Sequence, residues 1–154
     1  MRSTLIAIAL LFSLAGPVAA ADEVPFKGNL AGTVTVTPLD PPFASVFIEA
    51  TGNATQLGRF TLLIPHQVNQ AVRVGEGTYV FSAANGDTVT ADFTGQATLL
   101  APGVISTAET GIITGGTGRF AGATRTFSAE RTFVVATGTT TGSFEGTISS
   151  PGLG

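Results

Sequence analysis

The 154-residue chain has the length of one domain and contains no cysteine, which excludes disulfide staples, thiolate chemistry and cysteine metal sites. Charged residues make up only 11% and the net charge is −3, so no basic stripe exists for a phosphate backbone and nucleic acid is not an expected partner. Twenty glycines and eleven phenylalanines without a tryptophan point to tightly turned sheets, because glycine and β-branched residues are poor helix formers.

Arg2, the apolar run Leu5 to Leu14, the breaker Gly16-Pro17 and the alanines after it read as a secretory signal peptide over residues 1–20. The run is short for a bilayer span. The expectation is a mature domain over 21–154, secreted or periplasmic, with no membrane span after cleavage.

From Phe26 the pattern has period two. Phe26, Gly28, Leu30, Gly32, Val34 and Val36 share one face, and lysine, asparagine and threonines take the other, as in a half-buried strand. Pro38 to Pro42 ends it. Ser45 to Thr51 reads as the next strand, turned by Thr51-Gly52-Asn53 into Leu57 to Ile64, with Pro65 closing that run and Gly75-Glu76-Gly77 forming another turn. Asn85-Gly86 suits a type I′ hairpin with positive φ at both central positions, joining Thr78–Ala84 to Val89–Thr98. Pro102-Gly103 makes the next corner. Val104 to Ile113 then leads into the glycine-rich stretch Thr114 to Thr124, which should raise Arg119 and Phe120 at its tip. Thr124 to Ala136 and Gly142 to Ser149 alternate again, separated by a flexible Gly138 to Thr141 segment.

Eight short, evenly spaced strands without a helical period make the fold all-β. Glycines alternate with larger residues on one face of the first strand and again in Gly142, Phe144, Gly146 and Ile148 of the last. Glycine inside a strand marks a bend or a close approach, and barrels need both. The reading is a closed antiparallel eight-stranded β-barrel whose first and last strands lie side by side.

The segment ITGGTGRFAGAT, followed by alternating residues and a terminal SFEGTIS, resembles bacterial members of the allene oxide cyclase-like and dirigent-like barrel superfamily. Leu57 to Thr61, Ala84 to Asp87 and Gly142 to Ile148 are similar to the same group. What the resemblance implies is an eight-stranded barrel with an apolar interior that binds or guides a reactive hydrophobic molecule, and a homo-oligomer like the trimers of plant relatives. The chain departs from the pattern at Arg125, where relatives continue with glycine, which implies a stiffer corner. No catalytic residue of the plant cyclases or dirigent proteins falls on a matching local motif here.

Gly116, Gly118 and Ala121 satisfy G-x-G-x-x-A, but a dinucleotide site needs a helix facing the pyrophosphate, and a strand pattern follows instead. His66 is the only histidine, so one chain cannot assemble a multi-histidine metal site, and no G-x-S-x-G elbow presents a nucleophile. It reads as a partly exposed residue at a strand end. No cofactor and no metal are expected.

Glu109 and Arg131 are more informative, since strand parity places each among apolar neighbours: Ile105, Thr107 and Ile113 for Glu109, and Phe127, Ala129 and Phe133 for Arg131. Buried, each needs a partner. Paired in an apolar cup, they are the candidate catalytic residues, orienting a polarised ligand or stabilising charge in a cyclisation. Arg59, Arg119 and Tyr79 rank lower; Arg119 is expected to anchor the glycine-rich corner through backbone carbonyls.

Three functions stay open. One is a cofactor-independent cyclase or isomerase acting on a small hydrophobic molecule. The second is a non-catalytic binding module or stereochemical guide for such a molecule. The third is a structural or interaction protein whose barrel is filled by its own phenylalanines.

Overall fold

In an alternating strand every second side chain points the same way, so eight such strands can bury a common face by curling round it into a barrel. The computed structural model, which describes residues 22–152, has this form; the expected signal peptide over 1–20 lies outside the described residues. The strands are β1 (Glu23–Pro38), β2 (Phe43–Ala54), β3 (Gly58–Asn69), β4 (Val74–Ala83), β5 (Thr88–Ala101), β6 (Val104–Gly116), β7 (Thr126–Val134) and β8 (Thr139–Ser149), with one 3₁₀ turn at Gly118–Phe120. Each pairs antiparallel with the next. β8 pairs back onto β1 from Glu23↔Ser149 to Thr33↔Thr139, which closes the barrel.

Several turns fall elsewhere than the sequence suggested. β2 runs through Thr51-Gly52-Asn53 to Ala54 because β1 starts at Glu23 and offers partners that far, and the chain reverses at 55–57, where the Thr55 hydroxyl donates to the Pro25 carbonyl at 2.8 Å. Pro65 lies inside β3. Its missing N–H is tolerated because the ladder to β4 runs from Phe60↔Ala83 to Leu63↔Val80 and resumes only at His66↔Gly77. Gly75 to Gly77 are strand residues, and Arg73, at φ 58°, makes the turn in their place.

At Asn85-Gly86 only Gly86 has positive φ, so the turn is not type I′. Asp87 instead donates its N–H to the Asn85 side chain at 3.0 Å, and the loop is longer than two residues. Thr139 to Thr141 belong to β8, held by Ala31, Gly32 and Thr33 of β1. In the glycine-rich corner Arg119 is exposed, but Phe120 turns inward and is buried.

The register follows a rule of size. Phe26 lies opposite Gly146, Phe144 opposite Gly28, Phe60 opposite Gly52, Phe93 opposite Gly77 and Gly111, and Phe127 opposite Gly111 and Gly146. At these positions the interior has room for one ring and not two; Phe81 differs, facing Leu62 and Val89. The phenylalanines therefore interlock. Phe26 sits 5.1 Å from Phe144 and 5.3 Å from Phe81, ring centre to ring centre, and Phe81 sits 5.2 Å from Phe144. Tilted and edge-on contacts of this kind add about 0.5–1.5 kcal/mol per pair beyond burial.

This cluster fills one half of the barrel, towards the end formed by the β2–β3, β4–β5 and β6–β7 loops. There Leu57 and Phe120 close the interior, both buried. Arg119 ties the loops together, donating from Nε to Asp87 at 3.0 Å and from Nη2 to the Gln56 carbonyl at 3.3 Å. The expected carbonyl anchor is thus accompanied by an ion pair. Arg125 adopts φ 100° and pairs with Glu23 at 2.9 Å, a non-glycine residue in backbone space that favours glycine.

A Cβ added at Gly146 would collide with the Thr126 carbonyl and stand 2.5 Å from Phe127 Cα, both backbone atoms that cannot swing away. Gly146→Ala is expected to lose about 1–3 kcal/mol of unfolding free energy. Ser143→Ala, on the exposed face of the same strand, should stay within about 0.5 kcal/mol of the parent. Denaturant titration of both variants checks this, and equal midpoints would contradict the size rule.

Candidate functional site

Three polar side chains that reach the interior also obey the size rule. Glu109 of β6 lies opposite Gly95, Arg131 of β7 opposite Gly142, and His66 of β3 opposite Gly77. A Cβ at Gly95 would stand 2.7 Å from Glu109 Cγ, and one at Gly142 would stand 2.7 Å from Arg131 Cγ. Those two glycines make the space into which the charged side chains fold.

Glu109 and Arg131, brought into register as Thr107↔Arg131 and Glu109↔Ala129, form a buried two-point ion pair. Arg131 donates from Nε to Oε1 at 2.7 Å and from Nη2 to Oε2 at 3.1 Å, and both side chains are under 5% exposed. Two further groups complete the cluster. The Tyr79 hydroxyl donates to Glu109 Oε1 at 2.6 Å, and Arg131 Nη1 donates to the Thr140 hydroxyl at 3.3 Å. Among the described residues no buried side-chain nitrogen or oxygen lacks a partner, so the desolvation of both charges is offset by a closed set of hydrogen bonds.

The cluster forms a polar layer across the barrel. On one side lies the phenylalanine core, with Tyr79 stacked on Phe81 at 5.7 Å and edge-on to Phe127 at 5.4 Å. On the other side the barrel opens into a cavity of about 310 Å³, walled by Val34, Ala44, Val46, Ile48, Ile105 and Phe133, with His66, Thr107 and Arg131 among its lining. A smaller recess of about 40 Å³, shared by His66, Phe93, Glu109 and Arg131, extends it down to the carboxylate. The phenylalanines thus fill only half of the interior.

The mouth lies at the end of the β1–β2, β3–β4, β5–β6 and β7–β8 loops, opposite the glycine-rich corner. Val36, Leu39, Val72, Leu99, Leu100 and Val135 stand exposed around it.

The electrostatics follow from burial. Burial pulls the Arg131 guanidinium towards neutrality, but its hydrogen bonds and Coulomb attraction to Glu109 outweigh that and raise its pKa, so the cation is secure. Burial, reinforced by the charge of Glu109, pushes the Tyr79 phenol far above its ordinary value and keeps it a donor. Burial also lowers the His66 pKa, helped by Arg131 and opposed by the bond to the Ile64 carbonyl and by Glu109. At pH 7 the imidazole is neutral.

The structure therefore brings Glu109 and Arg131 together and inward. Tyr79, ranked lower on sequence, belongs to the same cluster; its parity with Phe81 and Ala83 was the available signal. Thr140 was missed, and only the β7–β8 register reveals it. His66, expected at a strand end, sits inside β3 and lines the cavity. Arg59 stays on the exposed face of β3.

No protein-family model and no curated protein matches the chain. Among solved structures, a pterocarpan synthase dirigent protein is similar to it over 82% of this chain and 84% of that one, at 12% identity and a TM-score of 0.54. The fold is that of a dirigent-like barrel. At this identity the likeness is one of fold alone.

Removing one member of a buried ion pair strands the other. Glu109→Gln is expected to cost about 3–5 kcal/mol, lowering the melting temperature by roughly 2–4 °C for each kcal/mol. The double change Glu109→Leu with Arg131→Met, which removes both charges, should recover most of that loss. Calorimetry on the two variants decides it: a single change costing under about 1 kcal/mol would mean that water reaches the pair.

Proposed function

We propose that the protein is an exported binding barrel that holds a small hydrophobic molecule in its open half, shielding it or fixing its conformation as a stereochemical guide. The observation that carries this reading is the largely apolar cavity of about 310 Å³ with the ionised guanidinium of Arg131 at its base. Its size falls at the small end of the roughly 300–1,000 Å³ typical of ligand pockets. Its mouth is rimmed by exposed apolar side chains, a poor boundary to leave in water unless apolar ligands pass through it. The similarity to a solved structure described as a pterocarpan synthase dirigent protein supports a guiding role, and the signal-like N-terminus supports a secreted or periplasmic location. The allene oxide cyclase-like side of the superfamily remains part of the proposal on its sequence motifs alone.

A second reading is favoured by one feature. Arg131 stays charged where water is scarce, and a fixed cation in an apolar cup stabilises negative charge as it develops. A cofactor-independent cyclase or isomerase would use Arg131 in that role, with Glu109 holding the guanidinium in place.

Ala97 lines the cavity wall on β5, where it is half-buried. Ala97→Phe should fill the open half and weaken binding of an apolar fluorescent probe at least tenfold, with the melting temperature little changed. Probe titration tests it. Unaltered affinity would place binding on the outside of the barrel and overturn the proposal.

A further inference from the structure

The lone histidine carries the next step. His66 Nδ1 lies 2.9 Å from the carbonyl oxygen of Ile64, a group that only accepts, so in the neutral ring Nδ1 bears the proton and Nε2 keeps a lone pair. That carbonyl is available because the β3–β4 ladder does not run continuously across Ile64 and Pro65. The ring is held in place by Phe93, edge-on at 5.4 Å, and by the room that Gly77 leaves opposite. No buried nitrogen among the described residues lacks a partner, so Nε2, which makes no hydrogen bond within the protein, opens onto the cavity that His66 lines.

Arg131 and His66 thus stand as two unlike polar groups on the cavity wall, with Thr107, whose hydroxyl donates to the Arg131 carbonyl at 3.5 Å, beside them and Gln70 and Arg73 towards the β3–β4 turn. Arg131 can only donate. Nε2 is an acceptor fixed on a rigid ring with no hydrogen-bonding partner of its own, whereas the carboxylate of Glu109 already receives Arg131 and Tyr79. We infer that His66 is a specificity-determining residue, whose Nε2 selects hydrophobic ligands that carry an O–H or N–H donor over those that carry only an acceptor.

This inference rests on the binding reading above and deepens it. It also gives the selection a pH dependence, because a protonated ring has two donors and no acceptor. The charged groups that share the cavity with the ring are Arg131, Glu109 and Arg73. Since burial, with the Arg131 cation, holds His66 below its ordinary value of 6.5, selection is present at neutral and higher pH and is lost as the pH falls through the lowered pKa.

The test compares 2-naphthol with 2-methoxynaphthalene, which keep the same ring system and differ in the donor. For the intact protein at pH 7.5, calorimetric titration should give 2-naphthol roughly three- to tenfold tighter binding, the range of one neutral hydrogen bond. His66→Leu should erase the preference, and His66→Gln, which keeps an acceptor, should retain part of it. In the unmodified protein the preference should vanish at acid pH, a readout that does not depend on whether a variant folds. Equal binding of the two probes at pH 7.5, a preference that survives in His66→Leu, or one unchanged at acid pH overturns the role of His66 and leaves the binding reading standing. If neither probe binds, the binding reading falls, and this inference with it.

Discussion

In a closed barrel this narrow, most of the inward phenylalanines and the inward side chains of His66, Glu109 and Arg131 need a glycine facing them on a neighbouring strand, and much of the remaining architecture follows from that pairing. Glycines on β1, β2, β4, β6 and β8 give the phenylalanines their room. Gly77, Gly95 and Gly142 do the same for His66, Glu109 and Arg131. Register is what matches each bulky residue to its gap. A slip of one residue would turn every inward side chain out to solvent and set the glycines against one another's backs.

The same pairing accounts for the division of the interior. Where aromatic rings cluster the barrel is full, with Phe26, Phe127 and Phe144 each facing a glycine and closing round Phe81. Where the inward residues are valine, alanine and isoleucine, as at Val34, Ala44, Val46 and Ile105, they are too short to meet across the axis and leave a cavity. Glu109, Arg131, Tyr79 and Thr140 lie at the boundary. A buried ion pair is a weak source of net stability, since desolvation consumes most of the attraction. Its consequence here is positional: a charge is presented at the foot of an apolar cup, with the carboxylate held by three donors, two from Arg131 and one from Tyr79.

Much of the fold was legible because alternation, glycine spacing and proline breaks act locally. Strand number, the pairing of the terminal strands and the inward parity of Glu109 and Arg131 all follow from period two. What was not legible depends on distant strands. Pro65 looks like a strand end until the gap in the β3–β4 ladder absorbs it. Gly75 to Gly77 look like a turn until His66 and Phe93 are seen to need Gly77 as their neighbour. Parity alone hinted at Tyr79, but its bond to Glu109 two strands away and that of Thr140 to Arg131 on the adjoining strand are set by register. The glycine-rich corner, the most distinctive motif, closes the filled end and lies away from the cavity, with Phe120 as its plug.

The division into a filled half and an open half is the claim on which the functional account stands, and chemical-shift mapping addresses it directly. When an apolar probe is titrated into isotope-labelled protein, shifts are expected at Val46, His66, Ile105, Arg131 and Phe133, while Phe26, Phe60 and Phe144 stay unmoved. Shifts spread over the outward-facing positions of the strands, or concentrated in the phenylalanine cluster, would contradict it.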